Sequence, residues 1–108
     1  ERRYRLQKNK QFQYVYHRGK SAACKDLVML YAKGRGLQVG FSVSKKVGNS
    51  VVRHRMARLI RESYRLQEDM FNSGLDMVVV TRKNAVNCSC QEITSALLHL
   101  GKLQGILK

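Results

Sequence analysis

The 108-residue sequence has no proline, only seven acidic residues, three cysteines and no long apolar run. The lack of proline, of repeats and of low-complexity tracts argues against a linker between separate units, so we expect one domain over residues 1–108. The longest apolar runs, such as Leu27–Ala32, fall far short of the roughly 20 residues that span a bilayer. A hydrophobic share of 44% is nevertheless sufficient for a folded core.

The three cysteines, Cys24, Cys88 and Cys90, are an odd number and do not make the paired disulfide framework of small secreted proteins. No charged-then-apolar secretory segment opens the chain. Cys88 and Cys90 lack the second ligand pair that a zinc site requires. We therefore expect a cytoplasmic protein that binds no metal ion itself.

What the sequence has in excess is positive charge, with 21 Lys and Arg and a formal net charge of +14. Solubility needs a magnitude of only roughly 2–8 for a small domain, and a compact domain with a larger excess repels itself unless a polyanion neutralises it. Nucleic acid is the main candidate, because Lys and Arg release counterions from its phosphates. The alternative partner is an anionic membrane surface. The apolar runs weigh against it, because they are too short to span a bilayer.

The first half of the chain predicts one helix followed by a hairpin. Asn9 is a candidate cap for a helix that ends at Gly19. Leu27–Ala32 is typical of a strand, and residues 37–44 alternate as in a strand with one buried face. The glycine-rich turn over residues 33–36 predicts that these two runs pair as a hairpin, and a further short strand is possible near residues 21–25.

The second half predicts a helix, a strand and a helix. Asn49 or Ser50 can cap the first of these helices. The four consecutive apolar residues within Asp76–Thr81 are typical of a strand covered on both faces. Ser89 and Glu92 have the spacing of a capping box for the last helix. This order predicts an α+β domain with helices layered on one mixed sheet.

The strongest functional signal is the stretch Lys45–Ser63, where Glu62 is the only acidic residue. Arginine grips phosphate through a planar fork of paired donors, and a helix N-terminus adds positive potential. A helix face that is merely solvated usually interleaves acids with bases at i, i+4, so binding of a polyanion is favoured. The basic residues of this stretch are Lys45, Lys46, Arg53, Arg55, Arg58 and Arg61.

At these residues the sequence resembles one family, the bacterial ribonuclease P protein subunits. The resemblance lies in KKVGNSVVRHR followed by a basic helix, in the preceding GFSVS, and in the segments LVMLYA and DMVVVTRKNA. It extends over essentially the whole chain. The family's usual Arg-Asn-Arg reads Arg53-His54-Arg55 here, and Ser50 and Ala57 stand where relatives usually have Ala and Lys.

The resemblance implies a two-layer α/β sandwich of three helices and a four-stranded mixed sheet, with a left-handed βαβ crossover, the fold of a ribosomal protein domain. It also implies that Phe12, Tyr16 and Tyr31 line a cleft for the 5′ leader of precursor tRNA. From the residues alone, the stronger interpretation of these three aromatics is a place in the core. The residues implied to bind the RNA subunit are Lys45, Lys46, Asn49, Arg53, His54, Arg55, Arg58 and Arg61.

The acidic residues give no sign of a nuclease built from protein side chains. Hydrolysis of phosphodiesters by a protein needs clustered carboxylates that hold Mg²⁺, or a His acid–base pair, whereas only Glu68 and Asp69 adjoin here. We therefore expect no catalytic residue. The resemblance implies that a Mg²⁺-dependent RNA subunit performs the cleavage, with ribonuclease P RNA and precursor tRNA as partners and no small-molecule substrate. The alternatives are a ribosomal or other structural RNA-binding protein and a self-sufficient nuclease.

Overall fold

The computed structural model describes residues 9–34 and 37–108. Within these ranges the chain forms three α-helices, four strands and short 3₁₀ turns at Lys45–Val47, Glu68–Met70 and Lys83–Asn87. Part of the expected turn over residues 33–36 lies outside the described residues. The helices and strands, in chain order, are α1 (Asn9–Arg18), β1 (Lys20–Ala23), β2 (Leu27–Lys33), β3 (Leu37–Val43), α2 (Ser50–Arg65), β4 (Leu75–Thr81) and α3 (Cys90–Leu103).

The four strands form one mixed sheet in the order β1-β2-β4-β3. The expected hairpin of β2 and β3 is therefore wrong, because β4 lies between them, antiparallel to β2 and parallel to β3. The burial of β4 explains the insertion, since a strand that is apolar on both faces belongs at the centre of a sheet. The hairpin is instead made by β1 and β2, whose pairing confirms the short strand that was possible near residues 21–25.

The connection from β2 to β3 has the length of a hairpin loop, yet Lys33 at the end of β2 and Leu37 at the start of β3 both pair with Leu75 of β4. Gly34 follows β2, and its N–H donates to the carbonyl of Gly74 at 2.9 Å. A Cβ atom at residue 34 would overlap the carboxylate of Asp76. A residue larger than glycine would have to displace the buried Asp76 side chain at this position.

The Asp76 side chain is only 9% exposed, and burial raises the pKa of its carboxyl group. Its Oδ1 atom accepts no hydrogen bond. A raised pKa in the folded state means that folding favours the protonated form, so stability is lost as pH rises from about 3.9, the ordinary aspartate value, through the folded pKa. The ionised carboxylate thus destabilises the fold at neutral pH.

We expect Asp76→Asn to raise the free energy of unfolding at pH 7 by about 1 kcal/mol, because the amide keeps the size of the side chain but removes the charge whose burial is unfavourable. Urea unfolding of both proteins at pH 7 and at pH 4.5 measures this gain, which should shrink at the lower pH as the wild-type carboxyl group takes up its proton. A variant that is less stable than the wild type at pH 7 would show that the carboxylate has a stabilising partner instead.

The core lies mainly on one face of the sheet, beneath α2 and α3. Met56 and Ile60 of α2 and Leu97 of α3 are fully buried there against β2 and β4. The α1 helix lies on the second face, where fully buried Val15 packs with Ala32 and Val78. The α+β class with three helices and a four-stranded mixed sheet is confirmed, and α1 adds partial cover on the face that α2 and α3 leave open.

The hand of the β3–α2–β4 crossover follows from the strand pairing. The N–H of Cys24 donates to the carbonyl of Leu27 at 2.9 Å, so Leu27, Met29 and Tyr31 direct their backbone polar groups toward β1. Their side chains point to the face that α2 covers, because alternate residues of a strand share a face. In a strand of L-amino acids that runs upward, a residue whose side chain faces the viewer directs its backbone polar groups to the right. Seen from α2 with β2 upward, β1 therefore lies to the right of β2 and β4 to its left. When the view is turned so that β3 and β4 run upward, β4 lies to the left of β3. The crossover is therefore left-handed, against the usual right-handed preference.

Candidate nucleic-acid interface

The start of α2 is rigid because two side chains cap the turns that lead into it. The Ser44 hydroxyl accepts a hydrogen bond from the N–H of Lys46 at 3.2 Å, and the Asn49 Oδ1 atom accepts one from the N–H of Val52 at 3.0 Å. Buried Val47 anchors the segment between them. Lys45 and Lys46 are thereby exposed just before the positive end of the helix dipole, and Asn49 keeps its NH₂ group available as a donor.

The two sides of α2 differ sharply in burial. Met56, Ile60 and Tyr64 are buried in the core, whereas the side chains of His54, Arg55 and Arg58 are exposed on the outer side. The outer side has one acidic residue, Glu62, so little negative charge offsets the guanidinium groups. We call this outer side, with Lys45 and Lys46, the cationic surface.

Arg53 and Arg61 lie at the border of α2, half-buried rather than fully exposed. Ser63, on the opposite border, faces α3, because its hydroxyl donates to the Leu59 carbonyl at 2.8 Å and lies 3.3 Å from the Cys90 sulfur. The border with Arg53, Ala57 and Arg61 therefore faces away from α3, toward the sheet edge formed by β3. These two arginines extend the cationic surface around the helix toward the sheet.

Two further cations lie at the end of the sheet where β3 leads into Lys45 and Lys46, and the sequence alone did not indicate them. Because β3 and β4 are parallel and Val43 pairs with Thr81, the residues that follow both strands lie at the same end of the sheet. Arg82 and Lys83 are exposed there, and the turns Lys45–Val47 and Lys83–Asn87 are in contact. The Arg82 Nη1 atom donates to the Cys24 carbonyl at 2.9 Å, which holds that side chain in place. Recognition of the parallel pairing would have identified these residues.

The second face of the sheet is only partly covered by α1. Phe12 is half-buried and packs with Leu30 and Val80 around the Val15 cluster. Tyr16, one turn further along α1, is 48% exposed. Val80, which packs on the same cluster as Phe12, lies two residues before Arg82 in the chain, so Phe12 and the cations that follow β4 border the surface at this end of the sheet. We call this surface the sheet cleft.

Tyr31 is not brought together with Phe12 and Tyr16. It alternates with Leu30 and Ala32, which face α1, and so it points to the opposite face of the sheet. There it packs against the main core, and its hydroxyl lies 3.5 Å from the Gln104 carbonyl. The expectation that all three aromatics line one cleft therefore fails on geometry for Tyr31.

The described part of the chain contains no cluster of metal-ligating side chains and no membrane-spanning helix. Across residues 9–34 and 37–108, no group of three or more His, Cys, Asp and Glu side chains is placed to hold a metal ion. No described helix has the length and apolar character to cross a bilayer. The cations, amides and aromatic rings of the described surface suit recognition of phosphate and bases.

The known proteins similar to this chain include members of one family. Residues 1–103 match the family model described as Ribonuclease P. The chain is 54% identical over 104 residues to the "Ribonuclease P protein component" of Lachnoclostridium phytofermentans, which covers 94% of this chain and 90% of that one. The corresponding protein of Brevibacillus brevis is 44% identical over 110 residues, covering 99% of this chain and 87% of that one.

Solved structures show the same likeness. The fold is similar to that of the RNase P protein of Staphylococcus aureus, with a TM-score of 0.85 and 30% identity over 97% of this chain and 98% of that one. The RNase P protein of Thermotoga maritima gives a TM-score of 0.80 and 26% identity over 89% of this chain and 93% of that one.

Proposed function

We propose, because the chain belongs to the ribonuclease P protein family, that it binds ribonuclease P RNA through the cationic surface and the 5′ leader of precursor tRNA through the sheet cleft. As a member of that family it is the protein component of a ribonucleoprotein endonuclease. The proposal concerns which surface of the chain meets which RNA.

The observation that carries the first part is the asymmetry of α2. Its inner side is locked into the core by Met56 and Ile60, and its outer side presents arginine with a single acid. A helix held this firmly keeps the backbone positions of its arginines fixed, so no backbone freedom is lost when their guanidinium groups bind phosphates. RNA phosphates are the partner that such a surface fits best.

The sheet cleft supports the second part. A leader is single-stranded, and single strands bind where bases stack on aromatic rings while cations hold the backbone. Phe12 and Tyr16 supply the rings, and Arg82 and Lys83 follow directly after β4, whose Val80 packs on the same cluster as Phe12. Tyr31 lies on the other face, so we leave it out of the proposed leader site.

We further propose that the RNA subunit performs the cleavage with Mg²⁺ and that the protein assists by neutralising phosphates. This division of labour is consistent with the scattered acidic residues of the chain. Since protein cations substitute for part of the counterion atmosphere, the benefit of the protein should be greatest when Mg²⁺ is scarce.

Addition of the protein to ribonuclease P RNA is expected to accelerate leader removal by about tenfold or more at low Mg²⁺, and by less at high Mg²⁺. The assay is cleavage of precursor tRNA by the RNA with and without protein across a Mg²⁺ titration. Protein alone serves as the control and should cleave nothing. Absence of stimulation, together with binding to ribosomes, would point to a structural RNA-binding protein, and cleavage by the protein alone would point to a self-sufficient nuclease.

A further inference from the structure

The cationic surface contains an apolar element that phosphate binding does not use. Val51, in the first turn of α2, is 74% exposed. It is one of the residues that line a groove of about 700 Å³ on the outer side of the helix. The others are Ser50, His54, Arg55, Arg58, Leu59 and Glu62.

The helical spacing places this apolar element between guanidinium groups. Val51, Arg55 and Arg58 stand at i, i+4 and i+7, so they form one stripe along the helix. Leu59 is half-buried two turns further along the helix, at the side of this stripe nearer the core. The groove therefore offers aliphatic contact and planar cations at the same place.

A phosphate gains nothing from contact with an aliphatic side chain, whereas the face of a nucleobase does. Guanidinium planes also stack on bases in addition to binding phosphates. In an RNA double helix the bases are stacked inside, and side chains cannot enter the deep major groove. The shallow minor groove exposes base edges but not base faces, so an unpaired, turned-out nucleotide is needed to bring the face of a base to Val51.

We propose that the groove on α2 holds one unpaired nucleotide of the RNA subunit, with its base against Val51 and its phosphate near Arg55 and Arg58. This inference rests on the proposed binding of ribonuclease P RNA to the cationic surface and adds a specific contact to it. The groove is lined by three basic or imidazole side chains and a single acid, Glu62. That charge favours a nucleotide over an apolar peptide as the occupant.

The test compares Val51→Ser with Leu66→Ser in the full-length protein, with affinity for ribonuclease P RNA measured over a range of salt concentrations. Leu66 is a matched control because it is 73% exposed at the other end of α2 and does not line the groove. We expect Val51→Ser to weaken binding about fivefold without changing the salt slope, since no phosphate contact is lost. Leu66→Ser should bind as the wild type does, and Val51→Leu, which keeps an apolar side chain, should retain most of the affinity.

Chemical probing of the RNA supplies a second measurement. An unpaired nucleotide protected by the wild-type protein should become reactive again with Val51→Ser, while protections elsewhere stay. Unchanged affinity and unchanged protections for Val51→Ser, or a changed salt slope, would overturn the inference and leave the proposed function intact. Failure of the wild-type protein to bind the RNA would instead overturn the proposed function. Melting curves check folding, which a substitution at so exposed a site should alter by no more than about 0.5 kcal/mol.

Discussion

Replacement of Arg53 and Arg55 by alanine is expected to weaken binding to ribonuclease P RNA by about 100-fold at moderate salt. Each lost guanidinium–phosphate contact costs about 1.4 kcal/mol, near the lower end for hydrogen bonds to charged groups. The slope of log affinity against log salt should also fall by about 1.4 to 1.8, because two phosphate contacts disappear. Filter binding or fluorescence titration at several salt concentrations measures both quantities.

The matched control removes the same charge elsewhere. Lys102, in the last turn of α3, and Lys108, the last residue, are both exposed and lie outside α2. A Lys102→Ala/Lys108→Ala variant loses two positive charges, as the arginine variant does, so the two variants have the same net charge. Equal losses for the two variants would mean that binding follows net charge and not the cationic surface. Because Arg53 is half-buried and its stem packs on the protein, a thermal melt must show that the arginine variant is folded.

The second large effect is expected at Tyr16. Tyr16→Ala should lower the preference for precursor over mature tRNA by about tenfold, because stacking of one base on an aromatic ring contributes about 1–3 kcal/mol. Affinity for mature tRNA should change little, since mature tRNA has no leader to stack. The measurement is the ratio of dissociation constants for the two tRNAs with the assembled RNA–protein complex.

Tyr14 provides the control on the same helix. Tyr14 is 42% exposed, close to the 48% of Tyr16. Because the two residues are two positions apart on the helix, their side chains lie on different sides of it. The Tyr14 hydroxyl donates to the Lys33 carbonyl at 3.1 Å. Tyr14→Ala should leave the preference for precursor tRNA unchanged. A similar loss in both variants would indicate a general effect on α1 and would count against the sheet cleft as the leader site.

Features that depend on a few neighbouring residues could be predicted from the sequence. Asn49 caps α2, and Ser89 with Glu92 forms the expected capping box of α3. Asp76–Thr81 is a strand buried on both faces, as its run of apolar residues predicted. In each case the interaction closes within one helical turn or one strand, so the local pattern contains all the information that it needs.

The prediction that β2 and β3 form a hairpin was wrong, because strand pairing is decided by distant parts of the chain. A short glycine-rich turn is typical of a hairpin, but nothing local reports that β4, more than 30 residues later in the sequence, enters between the two strands. The central place of β4 is favoured because it buries both of its faces. The same insertion makes β3 and β4 parallel and so brings Arg82 and Lys83 to the end of the sheet where Lys45 and Lys46 lie.

The basic stretch Lys45–Ser63, its helix and its exposed arginines were evident from residue order alone, because helical periodicity and charge are local properties. The family was evident as well, because its motif occupies contiguous positions. The composition of the sheet cleft was not evident, since it depends on which strands pair and on which face each residue points. Tyr31 shows the limit: its place in β2 was predicted, but only the packing of α1 and α3 on opposite faces of the sheet separates it from Phe12 and Tyr16.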